Sequence, residues 1–127
     1  MNFEKVVFGF FIILAATLNL GFFLGDMANP AHHNVYQFVA AIVVSVIATV
    51  LKFGDRTQLG AVHLATSLVA DVELIIAAVV WVWASQISAS GVTEGVMVQI
   101  VSMSGGALLA NTVSVVLMVT ETLTSRR

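Results

Sequence analysis

Residues Leu59 to Ala84, LGAVHLATSLVADVELIIAAVVWVWA, decide how this chain reads. The run is longer than the roughly 20 apolar residues that a helix needs to cross a bilayer. Yet Asp71 and Glu73 sit near its middle. A charged side chain at the centre of a helix in hydrocarbon costs at least about 2.5 kcal/mol. The nearest basic residues, Lys52 and Arg56, lie near the start of the segment and do not offset that cost. The two acids are therefore the strongest functional lead in the sequence.

Composition sets the class around that segment. The 127 residues are 59% hydrophobic and only 9% charged, with mean hydropathy +1.02, whereas soluble domains carry roughly 25% charged residues. This reads as an integral membrane protein whose first partner is the lipid bilayer. There is room for about four spans and no separate soluble domain. The absence of cysteine excludes disulfides, thiolate metal sites and a cysteine nucleophile. A net charge of −2 without a basic cluster gives no footprint for nucleic acid. No nucleophile motif, phosphate-binding glycine loop or haem signature is present, so neither an enzyme nor a cofactor is expected.

Punctuation divides the chain into four helices of a single all-α transmembrane bundle, at about 6–25, 35–53, 59–84 and 94–122. The first ends before Asp26, Asn29 and Pro30. Asn34 is the expected N-cap of the second and Gly54 its stop. Asp55 with Gln58 three residues later resembles a capping box for the third. Ser85 to Thr93 is a Ser- and Gly-containing break, after which Thr93 caps the fourth helix and Glu94 places a favourable charge in its first turn.

The basic residues set an orientation, because Lys and Arg stay on the cytoplasmic side. Lys5 precedes the first span, Lys52 and Arg56 flank the second connection, and Arg126 and Arg127 end the chain. Both termini are therefore expected to be cytoplasmic. Trp81 and Trp83 then fall at the outer end of the third helix, where interfacial aromatics belong. A signal-peptide reading, with Ala28 and Ala31 as cleavage-site residues, is disfavoured because the apolar run exceeds a typical h-region and Glu4 neutralises Lys5. Adjacent His32 and His33 near Asp26 lack the spacing of zinc motifs and read as a solvated loop rather than a metal site.

Helical geometry separates the two acids. At about 100° per residue Asp71 and Glu73 point roughly 200° apart. Asp71 continues an i, i+4, i+8 row with Ser67 and His63, while Glu73 shares its face with Thr66, Ala70 and Ala77. Asn19, about 6 Å outward of its helix centre, and Asn111, about 4 Å inward of its own, are in position to offer amide donors to the carboxylates. Taken singly, Thr17, Asn19, Ser67 and Asn111 read first as hydrogen bonds that glue helices together. His63 suits either a proton relay or a side chain reaching to the cytoplasmic interface. Gly105, Gly106 and Ala110 form a small-residue packing face on the fourth helix. The pairs Thr17/Asn19 and Asp71/Glu73 hint weakly at an internal repeat.

The stretch VLKFGDRTQLGAVHLATSLVAD, Val50 to Asp71, together with the opening MNFEKVVFGFF, resembles a family of short four-helix proteins of gammaproteobacterial inner membranes of unknown function. The resemblance covers nearly the whole chain. It implies an inner-membrane location and carries no activity or site residues.

The expectation is a homo-oligomer that conducts or exchanges a monovalent cation, or a proton, along a path lined by carboxylates. Asp71 leads, Ser67 and His63 extend the route, and Asn19 or Asn111 orients the acid; Glu73, with Thr66 on its face, lines the path instead if Asp71 packs within the bundle. Oligomerisation is expected because two opposed polar faces on one helix need two partners. Alternatively the acids are protonated structural groups, or the chain is an accessory subunit that docks on a larger membrane protein.

Overall fold

The computed structural model describes residues 3–25, 29, 33–55 and 57–125. Asp26, Ala28, Pro30, Ala31, His32, Arg56, Arg126 and Arg127, on which several of the sequence expectations rest, lie outside the described residues. Four helices are present: α1 (Phe3–Phe23), α2 (Val35–Lys52), α3 (Gln58–Val82) and α4 (Glu94–Ser125). A single π-helical turn, Trp83–Ile87, prolongs α3. Each of the four is long and apolar enough to cross a membrane.

Local chemistry explains the helix ends. The Asn34 side chain accepts the Tyr36 N–H at 2.8 Å, and Thr93 Oγ1 accepts the Val96 N–H at 3.2 Å, so two orphan first-turn donors are satisfied. The start of α3 departs from the capping box expected of Asp55 and Gln58. Thr57 is the N-cap, and its hydroxyl accepts the Gly60 N–H at 2.9 Å. Asp55 instead holds the cap in place, accepting the Thr57 N–H at 2.9 Å and the Thr57 hydroxyl at 2.7 Å. At its other end α3 continues past Ala84, because Ser88 donates to the Trp83 carbonyl at 2.9 Å and closes the wider turn. Gly91, at φ 68, then takes the left-handed conformation that turns the chain toward α4.

The helices pack in a closed ring, α1 on α2, α2 on α3, α3 on α4 and α4 back on α1. Lys5 on α1 and Glu121 on α4 pair at 2.5 Å, so the start of the first helix and the end of the last share one end of the bundle, here the terminal end. Inward positions recur at alternating steps of three and four: 63, 67, 70, 74 and 77 on α3, and 97, 100, 104, 107, 111 and 114 on α4. That spacing is the seam of bundles with nearly aligned helices.

The bundle is apolar outside, and a set of buried polar side chains runs through its otherwise apolar core. Phe10, Ile13, Val43, Val72, Val79 and Leu109 are among many large apolar side chains that face outward from all four helices. Outward-facing Thr17 and Thr112 satisfy their hydroxyls on their own helices, donating to the carbonyls of Ile13 and Leu108 at 2.8 Å each. The interior instead contains Asn19, Ser45, Thr49, His63, Ser67, Asp71, Ser104, Asn111 and Ser114.

Hydrogen bonds from the Thr57 hydroxyl and N–H hold the Asp55 carboxyl well below its ordinary 3.8, at about 2. A depressed folded-state pKa contributes stability that is complete above the ordinary value and lost as pH falls through it toward 2. Asp55→Asn is therefore expected to lower the thermal midpoint near pH 6, and the difference from wild type is expected to shrink between about pH 4 and about pH 2, read by thermal unfolding in detergent.

Candidate functional site: a carboxylate in a polar bundle interior

Asp71 projects from the middle of α3 across the interior toward α2. Ser45 donates to its Oδ1 at 2.7 Å and Thr49 to its Oδ2 at 2.5 Å. Ser45 and Thr49 are one helical turn apart, so a single stripe of α2 presents both hydroxyls to one carboxyl group. Among the described residues, no Lys, Arg or His forms an ion pair with Asp71. Hydrogen bonds to a charged group are worth about 1.5–3 kcal/mol each, and they offset part of the desolvation of a buried carboxylate.

Fully buried polar groups continue from this layer in both directions. Toward the opposite end, Asn19 accepts a long bond, 3.4 Å, from Ser104, and its amide nitrogen has no partner. Toward the terminal end, Ser67 lies one turn from Asp71, and its hydroxyl is unpartnered, as are both polar atoms of Asn111. One turn further, His63 Nδ1 and the Ser114 hydroxyl are hydrogen-bonded, and the imidazole packs edge-on against Phe8 at 5.0 Å. Buried polar atoms without protein partners are uncommon, and where they cluster they suit a bound water or ion.

The two ends of this column differ. His63 lines a cavity of about 310 Å³ at the terminal end, together with Lys5, Phe8, Lys52, Met118 and Glu121. Lys52 Nζ sits 4.3 Å above the Phe8 ring and 3.4 Å from Asp55. At the opposite end Phe22, Phe38 and Trp81 pack with ring centroids 4.9 to 5.8 Å apart and fill the interior. His33 covers them, donating from Nδ1 to the Phe22 carbonyl at 2.5 Å. Trp81 thus belongs to this cluster, whereas Trp83 is exposed, as an interfacial side chain would be.

The sequence-derived residues are placed unequally. Asp71, Ser67, His63, Asn111 and Asn19 share the interior. Glu73 is half-buried in the α3–α4 contact, its carboxylate against Gly106, where an added Cβ would lie 1.8 Å from Oε2. Gly106 therefore admits Glu73, while Gly105 meets Phe23 of α1 and Ala110 is buried. Thr66 donates to its own helix, at the carbonyl of His63.

Three expectations need correcting. Thr17 is exposed and bonded to its own helix, so it does not join the polar layer. Neither Asn19 nor Asn111 donates to a carboxylate: both amide nitrogens are without a partner, and the donors to Asp71 are Ser45 and Thr49. The supposed repeat presents its second member, Asn19, inward on α1 but its first, Asp71, on α3, so the pairs do not correspond. The two opposed faces of α3 are met by α2 and α4 of one bundle, so that ground alone does not call for an oligomer.

Ser45, Thr49, Ser104 and Ser114 are the residues that the sequence reading missed. Their signal was spacing: four residues between Ser45 and Thr49, and seven and three between Ser104, Asn111 and Ser114, all seam intervals.

A family of unknown function, DUF6394, matches residues 32–122, which takes in α2, α3 and nearly all of α4. The chain belongs to the DUF6394 family. No curated protein and no solved structure matches it. The match includes every residue of the Asp71 layer, and of the buried polar column it leaves out Asn19 on α1.

Leaving a buried polar group unpaired costs about 1–3 kcal/mol. Asn111→Leu is accordingly expected to raise resistance to unfolding by about 1 kcal/mol or more, measured by denaturant titration in detergent. A stability gain there would mark Asn111 as retained for something other than packing.

Proposed function

We propose that this DUF6394 protein is a multi-pass protein of the bacterial inner membrane, with both termini cytoplasmic, that binds a cation at Asp71 and carries or exchanges it along the polar interior. The apolar outer surface and the back-bonded outward threonines support insertion, since lipid offers no partner to a free hydroxyl. The orientation follows from Lys5 and Lys52 at the terminal end.

One observation carries the transport reading. A carboxyl group lies inside the bundle with no basic partner among the described residues, and the partnerless Asn19 amide nitrogen, Ser67 hydroxyl and Asn111 amide continue the column on either side of it. A purely structural interior would gain stability from apolar replacements at these positions. Intramembrane acids without basic partners commonly face water or an ion path. The terminal-end cavity that reaches His63 supplies an approach to that path from the cytoplasmic side. A single bundle contains the complete column, so the proposal does not require a pore between copies.

The test is ion flux into liposomes reconstituted with purified protein. Wild type is expected to dissipate an imposed cation or proton gradient, and Asp71→Asn to slow this by at least about tenfold, or ~1.4 kcal/mol in barrier height. Glu73→Gln, altered at the α3–α4 contact, is expected to retain most of the flux. A silent wild type contradicts transport, and equal flux in Asp71→Asn contradicts the site.

A further inference from the structure

The layer around Asp71 has a hydrogen-bond arithmetic that bears on which cation it takes. Thr49 Oγ1 lies 2.5 Å from Asp71 Oδ2 and 3.0 Å from the Ser45 carbonyl oxygen, and it has one hydrogen to give. Both neighbours accept when Asp71 is ionised, so one of the two contacts is then without a proton. When Oδ2 is protonated, Asp71 donates to Thr49, Thr49 turns its hydrogen to the Ser45 carbonyl, and Ser45 still donates to Oδ1. Every short contact in the layer then has its own hydrogen, with no heavy atom moved.

A metal cation meets a less suitable site. Selective sodium and potassium sites rely heavily on backbone carbonyls that replace the hydration shell, often where a helix is unwound. Here α2, α3 and α4 run unbroken through the Asp71 layer, and no residue near it has a positive φ. The helical carbonyls are occupied by their own ladders, and the one turned to account, that of Ser45, is used by Thr49.

We infer that the cargo of the Asp71 site is a proton, held by a Thr49 hydroxyl that switches between the Asp71 carboxyl and the Ser45 carbonyl. This rests on the transport reading above. One O–H bond of a hydronium ion breaks to leave water as one O–H bond forms at Oδ2, the Thr49 hydroxyl hydrogen bond moves from Oδ2 to the Ser45 oxygen, and nothing is oxidised or reduced. The proton comes from water in the terminal-end cavity, past His63 and the Ser67 and Asn111 level, whose unpartnered groups suit bridging water. The aromatic cluster of Phe22, Phe38 and Trp81 closes the other side, so exchange in this conformation is one-sided.

The charged groups around the layer are few. On α2 the charged residue is Lys52, engaged with Asp55 and the Phe8 ring. On α3 they are His63, bonded to Ser114, and Glu73, against Gly106 of α4. Helices α1 and α4 place theirs, Glu4, Lys5, Glu94 and Glu121, toward their ends.

Infrared difference spectroscopy of the full chain in liposomes, stepped between neutral and acid pH, reads the carboxyl directly. Above the signal of the other six carboxyl side chains, one protonated-carboxyl component is expected that is present in wild type and Glu73→Gln and lost in Asp71→Asn. Ser45→Ala, which keeps the carboxyl, is expected to move the band to higher frequency by removing the donor at Oδ1. Replacing choline with Na+ or K+ over a hundredfold range is expected to leave the midpoint in place, whereas one-for-one competition would move it by about two pH units. A cation-dependent midpoint, or wild-type and Asp71→Asn spectra with the same carboxyl components, overturns the inference. If the band behaves as expected but liposomes show no flux, the proton site stands and the transport reading fails. If Na+ flux depends on Asp71 and shifts the midpoint, transport stands and the proton assignment fails.

Discussion

The carboxyl group of Asp71 is surrounded by helices whose outer faces are apolar, so its hydrogen bonds must be made inside the bundle. Ser45 and Thr49 make them, and this ties the middle of α3 to the middle of α2 at one register. A slip of one residue on either helix would carry the acid or the hydroxyls off the seam and leave a buried charge unpaired, a cost of several kcal/mol. The α2–α3 contact is the smallest in the ring. Polar pairing thus sets the register where the contact between helices is smallest.

The same constraint orders the rest of the interior. Small hydroxyl and amide side chains line the seam between the His63–Ser114 pair and the Asn19–Ser104 pair, and large apolar ones take over at Leu74, Ile100 and Met97. The interior is therefore graded along its axis, with a charged cavity at one end and an aromatic plug at the other. A graded interior of this kind suits a group that is loaded from one side. Glu73 stands apart from it, seated in the space that Gly106 leaves between α3 and α4.

Much of the fold was legible because its signals are strong and local. Four apolar runs, the caps Asn34 and Thr93, and the angular separation of Asp71 from Glu73 all follow from composition and helical period. The role of Asp55 was misjudged by two residues, since a carboxylate that braces a threonine cap and one that caps directly share the same sequence pattern. The polar layer was half legible. His63, Ser67 and Asp71 lie on one helix, and their spacing shows in a single line of sequence. Their partners Ser45, Thr49 and Ser114 lie on other helices, and pairing across a bundle depends on axial register, which hydropathy does not encode. Thr17 and Asn19 illustrate the same limit, for two residues apart they point to roughly opposite faces, and the sequence does not say which of the two meets the seam.

Transport along Asp71 requires that water reach the polar part of the interior, at Ser67 and Asn111, from the terminal end and not reach the outer surface. The chain has no native cysteine, so single cysteines report without background. The direct measurement is labelling of Ser67→Cys and Leu109→Cys in oriented vesicles by a small, charged, membrane-impermeant thiol reagent. The account expects Ser67→Cys to react when the reagent is on the side of the terminal end, and Leu109→Cys to stay unreacted from either side. An inert Ser67→Cys beside a reactive Leu109→Cys would contradict it.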